Sequence, residues 1–516
     1  MRQVLRGRWA VLGVALASGL IAALGQAPWG LWYLAIPALA AVALLVGFAP
    51  SARGAFGRAW LAGAAQFAVA LAWIVEPFLI DSTTHGWMAP FALLGLAGGL
   101  ALFWGAAAAL AVAALQRPVA QIWAFAGAML AFEALRGHLF TGFPWALTGH
   151  IWIGTPADQL AAYGGSLLLS ALTLGLAATL ATVAYRLTQG RILRASLVAL
   201  GGAIAAAAAL GLGGLRLAAP LPPPLTPVVR LVQGNVPQHL KWQPDLVEGF
   251  YHRHLDLSAS ASDEPPALVI WPESAAPFLL DSAGDGLRMA IEAAGVPVIF
   301  GVDRRARDEA GAVQYFNALA LIGMDAQVAA VYDKHHLVPF GEYIPLIGQF
   351  AEGFGGLASQ ALSGYAPGPG VQILDLAGLG LEGLGQSLPL ICYEAVFARN
   401  LRSETRPDWV LQITNDAWFG TGIGPFQHLA QAQLRAVEFG LPLVRAANTG
   451  VSAMIDARGR ITAALPLGEQ GVLDAQIPGA LPATSYARIG DTPWHVALSL
   501  LALWLALRGW RRRSRA

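Results

Sequence analysis

The chain has 516 residues, of which 56% are hydrophobic and only 12% charged. An ordinary soluble chain carries roughly 25% charge, so soluble globular and disordered readings are excluded at the outset. The formal net charge of +1 gives no electrostatic footing for a nucleic-acid partner. A single cysteine rules out an intramolecular disulfide and a multi-cysteine metal site. Of the 32 basic residues only Lys241 and Lys334 are lysines, so the rare residues are the first to inspect.

Acidic residues are unevenly placed. Up to Gly214 there are only Glu76, Asp81, Glu133 and Asp158, whereas 26 of the 31 fall between Thr226 and Arg488. The first part therefore reads as a membrane domain and the second as a globular domain. Membrane spans need about 20 mostly apolar residues. In chain order the candidates are Trp9–Leu24, Trp32–Val46, Ala59–Phe78, Phe91–Leu115, Gln121–Leu135, Tyr163–Tyr185 and Ala195–Leu215, with an eighth near Thr492–Leu507. Arg2, Arg6 and Arg8 before the first run also fit a signal peptide, but no small-residue cleavage site follows, so an uncleaved anchor is expected. The expected organisation is a membrane domain of seven transmembrane helices over residues 1–217 and a Pro-rich linker over 218–227. A catalytic domain over 228–488 follows, then an eighth helix with an Arg-rich tail over 489–516.

Arginine sets the orientation. With the N-terminus inside and the spans alternating, the inner segments hold Arg2, Arg6, Arg8, Arg53, Arg58, Arg117, Arg186, Arg191 and Arg194, together with the basic tail from Arg508. The short outer loops hold only Arg136, and Arg216 sits at the outer end of the seventh span. The positive-inside rule then puts the large domain outside the cytoplasm and both termini inside.

The outer domain alternates short β-branched runs with helical stretches. VVRLVQGNV, ALVIWPES, VPVIFGVD, NALALIGM, LPLICYEA and DWVLQITND read as strands. Leu246–Ser260 and Phe426–Phe439 read as helices. Several strands carry chemical residues at their C-terminal ends, where α/β sheets place their sites. A P-loop, a GxGxxG after a strand and HExxH are all absent from the sequence, and no cofactor is expected.

Three residues stand out. Cys392 ends the apolar run of PLICYEAVF and reads either as a buried small hydrophobe or as a nucleophile. A strand-to-helix turn there would expose the sulfur beside backbone N–H groups that bind an oxyanion. Glu273, in LVIWPES, is either a surface loop residue or a base tuned by burial. Lys334, in VYDKHHLVPFGEYIP, is either a chance loop residue or a required compact ammonium, for which arginine's planar fork cannot substitute. His335 and His336 invite a metal, but no second His or Cys cluster supports one, so no metal is expected.

Together, Glu in LVIWPES, Lys in YDKHHLVPFGEYIP and Cys in LPLICYE resemble the nitrilase superfamily. The wording is closer still to its membrane branch, the bacterial apolipoprotein N-acyltransferases. VQGNVPQHLKW, TNDAWFG, QHLAQAQLRAVEFGLPLVRAANTG and GFPW extend that resemblance over nearly the whole chain. It implies an αββα sandwich between the seventh and eighth of about eight transmembrane helices, with Glu273, Lys334 and Cys392 as the catalytic triad. It implies a phospholipid acyl donor, a Cys392 thioester and a diacylglyceryl apolipoprotein whose α-amine accepts the acyl chain. The backbone N–H of Tyr393 would join Lys334 at the oxyanion. The implied location is the bacterial inner membrane, with the catalytic domain periplasmic. Glu342 would hold the Lys334 ammonium, and Tyr393 and Glu394 would shape the site. Trp242, Phe143, Trp145, Trp418 and Phe419 would contact substrate, or else serve as packing and interfacial aromatics. Asn415 and Asp416 are expected to hold their turn.

Leu346–Gly370 is oily and almost uncharged, so it reads as an arm touching the bilayer or as a loop packed on its own domain. Two other functions compete. A membrane-anchored nitrilase-type amidase would share the triad and use water as acceptor. A transporter would need paired ionisable residues within the spans, and Glu133 near Arg136 is the one such pair.

Overall fold

The structure is a computed structural model and describes residues 7–343 and 364–514. The Leu346–Gly370 arm, apart from residues 364–370, lies outside the described residues. The chain divides into two compact units. One comprises Met1–Ala219, Gly422–Glu438 and Ala483–Ala516, and the other Pro220–Thr421 and Phe439–Pro482.

The first unit is helical. It begins with α1 (Arg8–Ala23), α2 (Trp32–Gly47) and α3 (Ala52–Ala70). It continues with α4 (Ala89–Ala114), α5 (Pro118–Arg136), α6 (Ala161–Thr188) and α7 (Ile192–Ala218). Small residues let these helices approach closely. A Cβ at Gly19 of α1 would overlap the carbonyl of Ala62 in α3, so only glycine permits that crossing. Ile192, Leu193, Leu197, Leu200, Ile204, Leu212 and Leu215 of α7 are all exposed, a surface suited to lipid rather than water.

Among the described residues, four helical stretches are long and apolar enough to cross a membrane. They become five if the bent pair Ala52–Ala70 and Ala72–Leu79 is one span. α1 and α2 have 16 residues each, about 24 Å of helix against a hydrocarbon core of about 30 Å. The expected Tyr163–Tyr185 span crosses a break at Gly164 and Gly165, where the dihedrals are not helical. Glu133 and Arg136 of α5 are spent on the loop that follows. Glu133 accepts from the Thr148 N–H at 2.9 Å, and Arg136 donates to the carbonyls of Phe143 and Trp145 at 2.9 and 2.7 Å. This is structural satisfaction of buried groups rather than an ion pathway.

The second unit is built on two six-stranded sheets. The first contains β1 (Val228–Gln233), β2 (Leu268–Ile270), β3 (Val298–Arg307), β4 (Val313–Ile322) and β5 (Val328–Asp333). The second contains β6 (Leu374–Asp375), β7 (Gln386–Ile391), β8 (Trp409–Thr414), β9 (Leu443–Ala447), β10 (Ser452–Ile455) and β11 (Ile461–Leu465). β12 (Gly471–Gln476) returns to pair with β1, giving the orders β12-β1-β2-β3-β4-β5 and β11-β10-β9-β8-β7-β6. β1, β2 and β3 run parallel, as do β7, β8 and β9. Strands buried on both faces read as continuous apolar runs, which is how six of them were visible in the sequence.

Helices α8 (Pro244–Ser258) and α9 (Gly284–Ala294) cover the first sheet. Tyr251, Leu255, Leu287 and Ile291 from these helices pack with Val232, Val269, Val298 and Phe300 from the strands, and with Trp271 just after β2, in one buried core. Ser452 of β10 donates from its backbone N–H and its hydroxyl to Gln233 of β1 at 3.1 and 2.6 Å, tying one sheet to the other. The crossover from β8 to β9 contains α10 (Ile423–Phe439), most of which is counted with the helical unit. α11 (Thr492–Arg513) completes that unit.

Candidate active site

The parallel strands deliver their chemical residues at their C-terminal ends. Glu273 follows β2, Cys392 follows β7, Asn415 follows β8, and Lys334 follows β5 of the same unit. All four are buried, Lys334 to 1% exposure. Lys334 Nζ lies 2.8 Å from Glu342 Oε1 and 3.7 Å from Glu273 Oε1. Asn317 of β4 bridges the same two carboxylates, its Nδ2 donating to Glu273 Oε1 at 2.8 Å and to Glu342 Oε1 at 2.9 Å. Glu273 Oε2 accepts the backbone N–H of Asn415 at 2.8 Å. Glu342 Oε2 accepts the N–H of Val338 at 2.7 Å, which closes the loop between Lys334 and Glu342. Burial draws the Lys334 pKa down, but the Glu342 and Glu273 carboxylates outweigh that and hold it above the usual lysine range.

Cys392 sits at a turn with φ +53°, a left-handed conformation that L residues adopt only under constraint. Burial pushes its thiol pKa well up and the Glu273 carboxylate adds to the rise, while the Lys334 ammonium and a hydrogen bond with Thr414 oppose it. At rest the sulfur therefore keeps its proton.

Glu394 anchors this turn. Its carboxylate accepts the N–H groups of Ile391, His335 and His336 at 2.8, 2.9 and 3.1 Å, and the Tyr332 hydroxyl at 2.8 Å. His335 Nδ1 lies 2.8 Å from Glu394 Oε1. Burial opposes both charges, yet their mutual bond raises the His335 pKa and lowers that of Glu394. The Glu394 carboxylate thus favours the charged form of His335, while burial takes His336 down to about 4 and leaves it neutral. Glu394 ties the Lys334 segment to the Cys392 turn. Tyr393 is buried with its ring edge-on to Phe397 at 5.0 Å.

Lys241, the second lysine, also converges on Glu273, its Nζ donating to the Glu273 carbonyl at 3.4 Å. It lines a small cleft with Trp242, Phe250, His254, Glu273 and Ser274. Burial draws its pKa down to about 8, against the pull of Glu273 and Asp303. Between about 8 and the ordinary 10.5, the unfolded chain holds a proton that the native lysine has shed. Stability should therefore rise with pH across that window, by at most about 3 kcal/mol at 1.36 kcal/mol per unit. Thermal midpoints in detergent at about pH 7.5 and about pH 9.5 check this. The rise should be smaller in Lys241→Met, and an equal rise in both proteins would refute it.

The other aromatics separate. Trp242 is half exposed at the cleft, Trp418 is 42% exposed and Phe419 is buried. Phe143 and Trp145 belong to the helical unit. Trp145 is 1% exposed, and its indole N–H donates to Gln427 Oε1 at 2.7 Å. Asn317 and Lys241 were not singled out as site residues in the sequence. The available signals were an amide inside the apolar run NALALI and the scarcity of lysine itself.

A buried thiol under a carboxylate and an ammonium, at the ends of parallel strands in paired sheets, defines a carbon–nitrogen hydrolase type of site. The carbon-nitrogen hydrolase family matches residues 228–484, and the apolipoprotein N-acyltransferase N-terminal domain matches residues 18–179. An amidase from Nesterenkonia sp. of known structure aligns with 54% of this chain and 98% of its own, at 20% identity and a TM-score of 0.35. The apolipoprotein N-acyltransferase of Caulobacter vibrioides is 40% identical, over 96% of this chain and 94% of that protein. That of Azotobacter vinelandii is 37% identical over 100% and 98%, and that of Rhodopseudomonas palustris 36% over 98% and 96%. The chain belongs to the apolipoprotein N-acyltransferase family.

Proposed function

We propose that the protein moves an acyl chain from a phospholipid to the α-amine of a diacylglyceryl-cysteine at the start of an apolipoprotein. The reading rests above all on one observation: Lys334, 1% exposed, is held between Glu342 and Glu273 beside the chain's single cysteine. Cys392 Sγ attacks the donor ester carbon as Glu273 takes the thiol proton. Lys334 and the Tyr393 N–H stabilise the tetrahedral oxyanion. The C–O bond breaks, Glu273 returns the proton to the lysophospholipid oxygen, and a thioester remains on Cys392. The neutral acceptor amine then attacks that thioester. As the C–S bond breaks, the amine proton passes through Glu273 to the sulfur. No metal or cofactor is required by these steps.

The apolar helices support a membrane location. The arginine distribution supports the finer arrangement: eight spans in a bacterial inner membrane, both termini cytoplasmic and the catalytic domain periplasmic. α1, α2 and α11 would complete the set. Both substrates are lipid-anchored, so a site on a membrane-bound domain shortens their search. Trp242 and Trp418, being exposed, are the aromatics available to cover a bound acyl chain. A lipid-entry role falls to the half-buried Phe143 rather than to Trp145.

The test is product analysis of the purified protein with phospholipid and a diacylated lipopeptide bearing a free α-amine. N-acylated lipopeptide and lysophospholipid should appear in equal amounts. Free fatty acid without N-acylated peptide would replace this reading with an amidase-like hydrolase.

A further inference from the structure

Leu390 of β7 pairs with Gln412 of β8, and Gln412 pairs with Arg445 of β9, so three neighbouring strands contribute to one row. Gln412 and Arg445 are both fully buried. Polar groups at such positions are costly unless bonded. Arg445 donates to Gln412 Oε1 at 2.6 Å, to Asp416 Oδ2 at 2.5 Å and to the Val451 carbonyl at 3.2 Å. Asp416 Oδ1 accepts the Thr414 hydroxyl at 3.0 Å, and Thr414 in turn bonds the Cys392 thiol.

This arrangement gives the Gln412 amide one orientation. A guanidinium only donates, so the oxygen of the amide must face Arg445. Its Nε2 then donates to the Cys392 carbonyl at 3.1 Å. That carbonyl belongs to the residue held at φ +53°, and a carbonyl's direction follows from the backbone torsions.

We propose that Gln412, oriented by the buried Arg445–Asp416 pair, is a positioning residue that latches Cys392 in its left-handed turn. It touches neither substrate nor the reacting atoms. The Gln412 bond fixes the backbone of the nucleophile and the Thr414 hydroxyl fixes its sulfur, so both are aligned before substrate arrives. The inference rests on Cys392 being the nucleophile.

Gln412→Glu is the direct test. It keeps acceptor oxygens for Arg445 but puts a carboxylate oxygen against the Cys392 carbonyl. Thioester formation should slow about 10- to 100-fold in single turnover, with the donor KM unchanged. Alkylation of Cys392 by iodoacetamide, which needs no oxyanion geometry, should change far less. Gln412→Met, which cannot donate, is the second variant should the buried charge prevent folding, and should slow thioester formation in the same direction. If folded Gln412→Glu or Gln412→Met acylates at the wild-type rate, with only the thermal midpoint lowered, Gln412 is structural and the latch is refuted. If phospholipid leaves no adduct on Cys392 in the wild type, the nucleophile assignment itself falls, which is a separate result.

Discussion

Cys392→Ala and Cys392→Ser should both abolish transfer, a loss of about 10⁴-fold or more, as for other nucleophiles removed from a working triad. The alanine variant has no atom to carry the acyl group. The serine variant keeps an oxygen, but an oxyester is a poorer acceptor for amine attack than a thioester. The surroundings are also tuned for sulfur: the site holds a thiol whose pKa is raised by burial and by Glu273, with a fully charged ammonium waiting beside it. In the proposed mechanism the proton would then leave in concert with attack. Mass spectrometry of wild-type protein exposed to phospholipid should find one long-chain acyl adduct, at Cys392. An adduct on any other residue would overturn the mechanism.

Lys334→Met should be nearly as severe, for a different reason. It leaves Glu273 and Glu342 facing each other in a buried site without their shared cation. Breaking a buried pair in this way costs about 3–5 kcal/mol, so the variant should lose stability as well as activity. Lys334→Arg separates the two effects. It preserves the charge, but its planar fork cannot occupy the position of a point charge between two carboxylates. Transfer should still fall by at least about 10³-fold, with a smaller drop in thermal midpoint than for Lys334→Met. Glu342→Ala should reduce rather than abolish activity, because Asn317 and Glu273 still hold the site together. Wild-type rates in Lys334→Arg would remove the ammonium from the oxyanion, and full activity in Glu342→Ala would remove that carboxylate from the site.

Of the three proposed catalytic residues, Cys392 and Lys334 stood out in the sequence because their types are rare there, whereas Glu273 was legible only from its motif. A single cysteine and two lysines cannot hide, and each triad member sits at the edge of an apolar run. Asn317 was not legible as a bridge, because its two partners are brought to it by the pairing of β4 with its neighbours and by the Lys334–Glu342 loop. Glu394 was visible as a neighbour of the proposed nucleophile, but its bonds to His335 and His336 join segments nearly sixty residues apart in the chain. Trp145 misled in the opposite direction. An aromatic after Gly-Phe-Pro at a span end reads as interfacial, yet its indole is buried against Gln427. Hydrophobicity reports that a ring leaves water, and says nothing of whether it enters lipid or protein.

The Phe426–Phe439 helix shows the same limit. Its periodicity made it a helix, while contacts alone decided that most of it belongs with the membrane helices rather than with the sandwich from which the chain emerges. Composition and the apolar runs determined a membrane part and an acid-rich α/β part. Residue scarcity, with the wording around Glu273, Lys334 and Cys392, pointed to the thiol chemistry proposed above. Only the tertiary structure decided that both lysines converge on Glu273, one at its carboxylate and one at its backbone carbonyl, and that a buried Gln–Arg–Asp cluster bonds the backbone carbonyl of Cys392. Local sequence carries propensity and pattern, which act over neighbouring residues. Strand register and burial bring together groups tens to hundreds of residues apart, and in a low-dielectric interior those meetings set charge and geometry.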